Sequence, residues 1–270
     1  QAEEAQFVQG DSCSSSAHDG TEIPLYMTLN GSSMSTAVAA GATTMARQFL
    51  RVNEGIVEPR SDLIRSVLIN GADDLGTPDI PNAFEGWGQI NISNSLYPED
   101  SGNYLSQLYD DSRELKPGHS FVYTIQSNDN TRFDITLVWN DPEGSAVANQ
   151  SSPKLMNDLD LKITSPSGIV YYGNNFANGY SVGGGIADSL NNVERFRIAS
   201  AEIGTWSVEV GHAGGNLQDY AIVMSGAIIE TVLPDLTVFT NSLSTSVESP
   251  LQGDTFLIQA QWKNQAAGPT

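Results

Sequence analysis

The chain has 270 residues, of which 39% are hydrophobic, and it carries 12 lysines and arginines against 32 acids for a formal charge of −20. This composition supports a packed core and excludes a wholly disordered chain. The acidity argues against nucleic acid or an anionic membrane surface as partner, because both need clustered cations. No apolar run approaches the ~20 residues of a membrane span. We expect the acids to form a solvated coat, with some carboxylates free to hold calcium.

Two helices are predicted in the first 98 residues. Mostly small residues fill positions 33–52, which predicts a helix buried tightly on several sides, with Gly55 as its stop. A second helix is predicted from Pro59 to Asn70, with Ser61 as a possible cap and Gly71 at its end. The glycines of the segment 86–90 then predict a tight turn that leads into a short strand.

The segment 99–231 has a different pattern, in which apolar and polar residues alternate over short runs. Such runs, separated by Gly, Asn, Asp and Pro, predict an antiparallel β-sandwich or jelly roll. The clearest runs are 121–125, 133–139, 159–163, 206–210 and 220–224. From 232 to 270 the sequence indicates two or three strands of another, partial β-domain.

The segment from Asn30 to Gly41 carries the strongest chemical signal. If Ser33 lies where a loop becomes a helix, its hydroxyl projects from the first turn and its own amide is an unpaired donor. That amide can bind a developing oxyanion, aided by the helix dipole. Gly31 would let a substrate backbone approach closely. On local chemistry alone, a serine at a helix start is more often a cap.

The order of residues in this segment resembles a known signature. Gly31-Ser-Ser-Met-Ser-Thr36, followed by Val38-Ala-Ala-Gly41, resembles the nucleophile motif Gly-Thr-Ser-Met-Ala-(Ser/Thr)-Pro-x-Val-Ala-Gly of the subtilase family. The resemblance implies that Ser33 is the catalytic serine and that its amide lies in the oxyanion hole. Ala37 replaces the family proline, a residue that we expect to fit an early helical turn because no donor is lost there.

The resemblance also implies where the rest of the triad lies. Subtilases order it as Asp, His, Ser, so the acid, the base and the asparagine of the oxyanion hole are expected upstream of residue 1, in the N-terminal remainder of the catalytic domain. The chain does not begin with Met, and we expect it to be an inactive C-terminal part of a longer protein. His18, His119 and His212 are expected to be surface residues rather than the base.

The β-rich segment contains a second ordered set of motifs. Its members are 137–142, 156–161, 166–168, 172–174 and 191–194. In order, they resemble the C-terminal β-barrel domain of high-alkaline subtilases, which is related to the P-domain of proprotein convertases and sometimes holds calcium.

The strand pattern gives independent support for calcium. Asp158 and Asp160 would leave the same face of a strand, where two carboxylates repel unless a cation or donors lie between them. We therefore predict a structural calcium site at Asp158, Asp160 and Asp141, with Asn191, Asn192 and Glu194 as further oxygen sources; no organic cofactor is expected. The alternative is a polar strand face with Asx-type turn caps.

The predicted fold is multidomain, α/β followed by all-β. Residues 1–98 would be the C-terminal part of a subtilisin-like peptidase domain, 99–231 a P-like β-sandwich or jelly roll, and 232–270 the start of a domain that resembles CARDB, a bacterial domain related to cell adhesion.

The predicted function is that of a secreted or cell-surface bacterial serine endopeptidase of the subtilisin type, which cleaves proteins or peptides through an acyl-enzyme on Ser33. The alternative is a non-catalytic extracellular adhesion or structural β-sandwich protein with a vestigial protease segment. A third possibility is that Ser33 belongs to another hydrolase class, but Ser33 does not lie in a Gly-x-Ser-x-Gly elbow of the α/β-hydrolase kind.

Overall fold

The computed structural model describes residues 31–76, 79–97, 106–144 and 154–230, together with four short strands between 236 and 264. The chain divides into two compact units, Gln1–Ile229 and Glu230–Thr270. The described residues are mostly antiparallel β-structure, accompanied by three helices. The three predicted domains and their boundaries stay predictions.

The helices of the first unit are α1 (Ser32–Val52), α2 (Ser61–Asn70) and α3 (Ile92–Leu96). Its strands are β1 (Ser106–Leu115), β2 (Ser120–Ser127), β3 (Phe133–Val138), β4 (Asp158–Thr164), β5 (Val170–Tyr172), β6 (Phe176–Ala177), β7 (Tyr180–Ser181), β8 (Val193–Ile198), β9 (Gly204–Gly214), β10 (Gln218–Gly226) and β11 (Ile228–Glu230). The five alternating runs of the sequence lie in β2, β3, β4, β9 and β10, so their prediction as strands is confirmed.

Helix α1 has the predicted extent but not the predicted burial. It ends where the amide of Ile56 donates to the carbonyl of Leu50 at 2.9 Å and Gly55 adopts a φ of 72°. Its buried residues are Ala42, Ala46, Phe49 and Leu50, whereas Val38 is 56% exposed. The expectation of burial on several sides is therefore wrong for the described residues, because only one stripe in the second half of α1 packs against α2 and α3.

The ends of α2 also differ from the prediction. Arg60, not Ser61, precedes the helix, and the Ser61 hydroxyl accepts a hydrogen bond from Asn140 Nδ2 at 3.0 Å instead of capping. At the other end Gly71 has an ordinary φ of −85°. Its lack of a side chain is needed for close approach, because a Cβ there would lie 2.4 Å from the amide nitrogen of Ser95.

The larger strands form two sheets. The four-stranded sheet has the order β1-β10-β3-β8, and the five-stranded sheet has the order β11-β2-β9-β4-β5. The pairs β1/β10, β10/β3 and β3/β8 of the first sheet and β2/β9, β4/β9 and β4/β5 of the second are antiparallel. Strand β1, at one edge, carries a bulge between Asp110 and Arg113.

One hydrophobic core lies between these sheets. Phe133 of β3 contacts Trp206 of β9 edge to face, with ring centroids 5.6 Å apart. The four-stranded sheet contributes Ile135, Leu137, Phe196, Ile222 and Met224 to this core, and the five-stranded sheet contributes Ile125, Leu159, Leu161, Ile163, Val208 and Val210. Because large apolar side chains of both sheets are fully buried there, this core is the main source of stability in the first unit.

Helix α2 covers the outer face of the four-stranded sheet. Leu63 and Val67 of α2 share a second hydrophobic cluster with Ala221 and Val223 of β10. With helix on one side and core on the other, every residue of β3 is buried. The polar residues of β3 thus lie under α2 rather than in solvent.

The second unit has two small antiparallel pairs. Strand β12 (Leu236–Val238) pairs with β15 (Trp262–Asn264), and β13 (Ser244–Thr245) pairs with β14 (Ile258–Gln259). Most of the segment predicted to resemble CARDB lies outside the described residues. None of the described helices combines the length and the apolar character that a bilayer crossing requires.

Candidate active site

Ser33 lies in the first turn of α1, as the sequence predicted for the start of a helix. The helix begins at Ser32, and Gly31 is the residue before it. The Ser33 side chain is exposed. A hydroxyl in this position is available to an external substrate.

The backbone around Ser33 leaves donors free for an anion. The amides of Met34 and Ser35 both turn back to the carbonyl of Gly31, at 3.1 and 3.3 Å. The Ser33 amide precedes them, so it is one of the helix-start donors that have no intrahelical acceptor. No acidic side chain lies in the first turn. The first turn of α1 therefore supplies no acidic side chain to neutralise the positive end of the helix dipole.

Gly31 is required by the backbone at this point. Its φ of 144° lies in a region that side-chain-bearing residues rarely adopt. A Cβ built on Gly31 would meet only Met34 Sδ, at 3.9 Å, so space is not the constraint. The glycine of the motif therefore serves the sharp entry into α1.

Ala37 lies later in α1 than the early helical turn that the sequence predicted for it. Counted from Ser32, it is the sixth residue of α1. A residue there donates its amide to the carbonyl four positions earlier, so a proline at this site would remove one helical hydrogen bond. The expectation that no donor is lost at position 37 is thus wrong, and alanine is fully compatible with the helix.

The described histidines make local contacts. Nδ1 of His119 lies 3.2 Å from the carbonyl oxygen of Pro117, and this side chain is exposed. Nε2 of His212 lies 2.6 Å from the carbonyl oxygen of Asn216. His212 is only 3% exposed, so its prediction as a surface residue is wrong. His18 and Asn30 lie outside the described residues.

The structure places Asp158 and Asp160 as the strand pattern predicted. Both half-buried carboxylates leave the same face of β4, while Leu159 and Leu161 are buried in the core. Oδ1 of each aspartate is buried and has no hydrogen-bond partner among the described residues. Burial raises the pKa of Asp160 to about 6, and the charges of Asp158 and Asp188 add to this shift.

Glu194 lies beside these aspartates. It is fully buried on β8, and its Oε2 accepts the amide of Leu161 at 2.6 Å. Its Oε1 has no partner among the described residues. Burial raises the pKa of Glu194 well above its usual range, although the Leu161 amide opposes the shift.

Asp141 has a different environment. Its Oδ1 accepts the amide of Asn157 at 2.8 Å, and its Oδ2 accepts the amide of Met156 at 2.9 Å. This is the turn-capping role that the sequence analysis kept as the alternative. Because both oxygens already have donors, Asp141 is the weakest of the three predicted calcium ligands.

Asp188 belongs to the acidic cluster but was missed in the sequence analysis. Its Oδ2 accepts from Asn174 Nδ2 at 2.6 Å and from Asn191 Nδ2 at 2.7 Å. Its charge raises the pKa of both Asp158 and Asp160. The position of Asp188, three residues before Asn191, is the feature of the sequence that could have identified it as part of the cluster.

The chemistry of this cluster fits a hard cation, since unpartnered carboxylate oxygens are the ligands that calcium prefers. Within the described residues, however, no three His, Cys, Asp or Glu side chains gather around a common point suited to a metal ion. Occupation by a cation would therefore need movement of these side chains.

Comparison with known proteins finds a family match around Ser33 and relatives whose similarity covers more of the chain. The model of the subtilase family matches residues 5–88. Two proteins of Dictyostelium discoideum, the serine protease/ABC transporter B family proteins tagA and tagD, are 29% identical over 228 residues and 28% identical over 221 residues. These matches cover 76% and 61% of this chain.

The chain spans about 12% of the length of these curated relatives. A third relative, tagB of the same organism and description, is 25% identical over 225 residues, which cover 62% of this chain and 12% of its own length. The chain is thus similar to subtilases in the segment that contains Ser33, and this similarity supports a serine protease function.

Proposed function

We propose that Ser33 is the nucleophile of a subtilisin-type serine endopeptidase. The observation that carries the proposal is the exposed hydroxyl in the first turn of α1, directly after Gly31, inside the segment that matches the subtilase family. The function is proposed for the whole protein, and the acid and base of the triad are proposed to lie outside this chain.

The chemistry follows from the free donors at the start of α1. A base accepts the proton of Ser33 as Oγ attacks the peptide carbonyl, and the resulting oxyanion accepts a hydrogen bond from the Ser33 amide. The base then gives the proton to the leaving amine, which leaves an acyl-enzyme on Oγ for hydrolysis. Loss of one oxyanion donor typically costs ~100- to 1,000-fold in kcat, so the helix start is a substantial part of the machinery.

The remaining domains are proposed by resemblance. Residues up to 98 would be the final part of a subtilisin-like α/β domain, and the two sheets would form a P-like β-sandwich. The shared core between the sheets and their antiparallel order support the second assignment. A partial CARDB-like domain in 232–270 and a secreted or cell-surface location complete the proposal.

A fluorophosphonate probe tests the proposal, because it labels only activated serines. The full-length protein is expected to react at Ser33, and Ser33→Ala should abolish the labelling. Ser35→Ala is the matched control, since Ser35 is an exposed serine on the same helix, and it should keep the labelling. A folded full-length protein that does not react would instead favour the non-catalytic adhesion module.

We propose in addition that calcium binds at Asp158 and Asp160, with Glu194 supplying a further oxygen. The support is the unpartnered, buried oxygen atom on each of these carboxylates and their raised pKa values. Bound calcium would neutralise the repulsion within the cluster and so stabilise the β-structure.

Thermal unfolding tests the calcium proposal. The melting temperature of the chain is expected to rise with millimolar calcium relative to a chelator, as for any ligand that binds only the folded state. Asp160→Asn should remove most of this rise. Asp129→Asn, at an exposed aspartate outside the cluster, should retain it. An unchanged melting temperature of the unsubstituted chain would remove the calcium proposal.

A further inference from the structure

The C-terminal end of α2 is bound by two buried arginines of the neighbouring sheet. Nη2 of Arg195 donates to the carbonyl oxygens of Asn70 and Ala72, both at 3.0 Å. Nη2 of Arg197 donates to the same Ala72 carbonyl at 2.6 Å. Arg195 is fully buried and Arg197 is 4% exposed.

Arg195 also reaches a more distant part of the helical segment. Its Nη1 donates to the carbonyl oxygen of Trp87 at 3.2 Å. The single guanidinium group therefore joins three carbonyls, from the end of α2 and from the loop that follows. Only arginine presents several donors in a fixed plane, so lysine could not replace these contacts.

The charges beneath α2 are arranged to suit a helix end. Arg195 and Arg197 approach the fully buried carboxylate of Asp134, at 3.8 and 2.6 Å. Arg132 contacts the same carboxylate at 2.7 Å. Three guanidinium groups thus lie close to the carboxylate of Asp134. The carbonyls at the C-terminal, negative end of the α2 dipole offset part of the remaining positive charge. Without α2 these arginines would lose acceptors in a buried site, which is strongly unfavourable.

Two other groups of contacts join α2 to the same sheet. At its N-terminal end, Arg60 donates to the carbonyl of Asp111 at 3.1 Å and forms an ion pair with Asp219 at 2.7 Å. At its last residue, the Asn70 side chain donates to Ser225 Oγ at 2.5 Å and accepts from Thr136 Oγ1 at 3.0 Å.

We propose that α2 is a structural layer of the β unit and unfolds only together with it, held by Arg195 and Arg197. The two sheets and α2 then form one cooperative folding unit. The predicted domain boundary near residue 98 would therefore lie between two groups of sequence motifs, but α2 on one side of it and the sheets on the other would still unfold together. This inference is independent of the catalytic role of Ser33, because it rests only on contacts between α2 and the sheet.

Amide hydrogen exchange of the full chain tests the proposal. The slowest amides of α2 are expected to be protected to the same degree as those of β10, within about tenfold, because both exchange through one opening. If the α2 amides exchange more than about tenfold faster than those of β10, the helix opens separately and the proposal is wrong.

Substitution of the buried arginine gives the second measurement. Arg195→Met is expected to lower protection in α2 and in β10 by the same factor, about 100-fold, because the carbonyls of Asn70 and Trp87 lose the donor that Arg195 supplies. Loss of protection in α2 alone would overturn the proposal. Arg47→Met is the control, because this arginine forms an exposed ion pair with Glu58, and it should change protection by less than about threefold. If Arg195→Met does not fold, the comparison of α2 with β10 in the unsubstituted chain decides.

Discussion

The carboxylate of Glu194 occupies the space that a side chain at position 173 would need. A Cβ atom on Gly173 would lie 2.4 Å from Oε2 and 2.7 Å from Cβ of Glu194. The same Oε2 accepts the Leu161 amide, so Glu194 cannot withdraw without losing that bond. Gly173 is thus a requirement of the acidic cluster rather than a feature of turn geometry.

We predict that Gly173→Ala destabilises the chain by about 1–3 kcal/mol, the usual cost of forcing extra atoms into a packed site. Urea unfolding measures the loss. In a Glu194→Gly background both the carboxylate and Cβ of residue 194 are absent, and the same substitution should cost less than half as much. An equal loss in both backgrounds would show that Glu194 is not the obstacle.

The acidic cluster predicts how stability depends on pH when calcium is removed by a chelator. Because burial raises the pKa of Asp160 from 3.8 to about 6, the folded chain keeps a proton that the unfolded chain releases. Asp160 thus contributes stability below about pH 4 that is lost as the pH rises through about 6, and Asp158 and Glu194, whose pKa values are also raised, act in the same direction.

Urea midpoints measured from pH 4 to pH 7.5 check this dependence. Asp160→Asn, which cannot ionise, should have a flatter profile over this range than the unsubstituted chain. Two profiles with the same slope would contradict the assigned role of Asp160. Addition of calcium to the unsubstituted chain should flatten its profile as well, because the cation favours the ionised carboxylates.

Asn70 joins α2 to the buried hydroxyls of Ser225 and Thr136. We predict that Asn70→Ala costs about 1–3 kcal/mol, mainly because Thr136 loses its acceptor, whereas Ser225 Oγ still accepts from Gln107 Nε2 at 3.1 Å. Ser225→Ala removes one of the two hydroxyls. If the hydrogen bond between Asn70 and Ser225 is responsible, the double variant should lose less than the sum of the single losses. Strict additivity in urea unfolding would show that the two side chains do not interact.

We predict that alanine substitution at Ser33 and at Gly31, both at the start of α1, has different effects on the free energy of unfolding. Ser33→Ala should change the free energy of unfolding by less than about 0.5 kcal/mol, because the side chain is exposed. Gly31→Ala should cost about 1 kcal/mol or more, because φ of 144° strains any other residue. Thermal unfolding of the two variants makes the comparison. A large loss for Ser33→Ala would indicate a structural cap rather than a free nucleophile.

Five strands of the first unit, β2, β3, β4, β9 and β10, could be predicted from the sequence because their core residues alternate. In β4, Leu159 and Leu161 are buried between the half-buried Asp158 and Asp160, as the pattern required. The positions of α1 and α2 could be predicted as well, with glycines close to their ends, whereas the five-residue α3 was not predicted. Local sequence determines these features.

Burial could not be predicted where a second layer covers a strand. Asp134 and Thr136 alternate with apolar residues and would be expected in solvent, yet both are fully buried beneath α2. Conversely, small residues in α1 predicted a buried helix, but Val38 is exposed. In both cases burial depends on whether another helix or sheet packs on the face in question. The spacing of residues along β3 or α1 carries no information about that packing.

The edges of the two sheets limit pairing between separate molecules. Strands β5 and β11 end the five-stranded sheet and have only three residues each. Strand β1, at one edge of the four-stranded sheet, is longer, but its bulge and its charged run from Asp110 to Glu114 interrupt a regular row of backbone groups. The edges formed by β1, β5 and β11 are therefore poor templates for an incoming strand, and edge-to-edge addition of another molecule is disfavoured at these three strands.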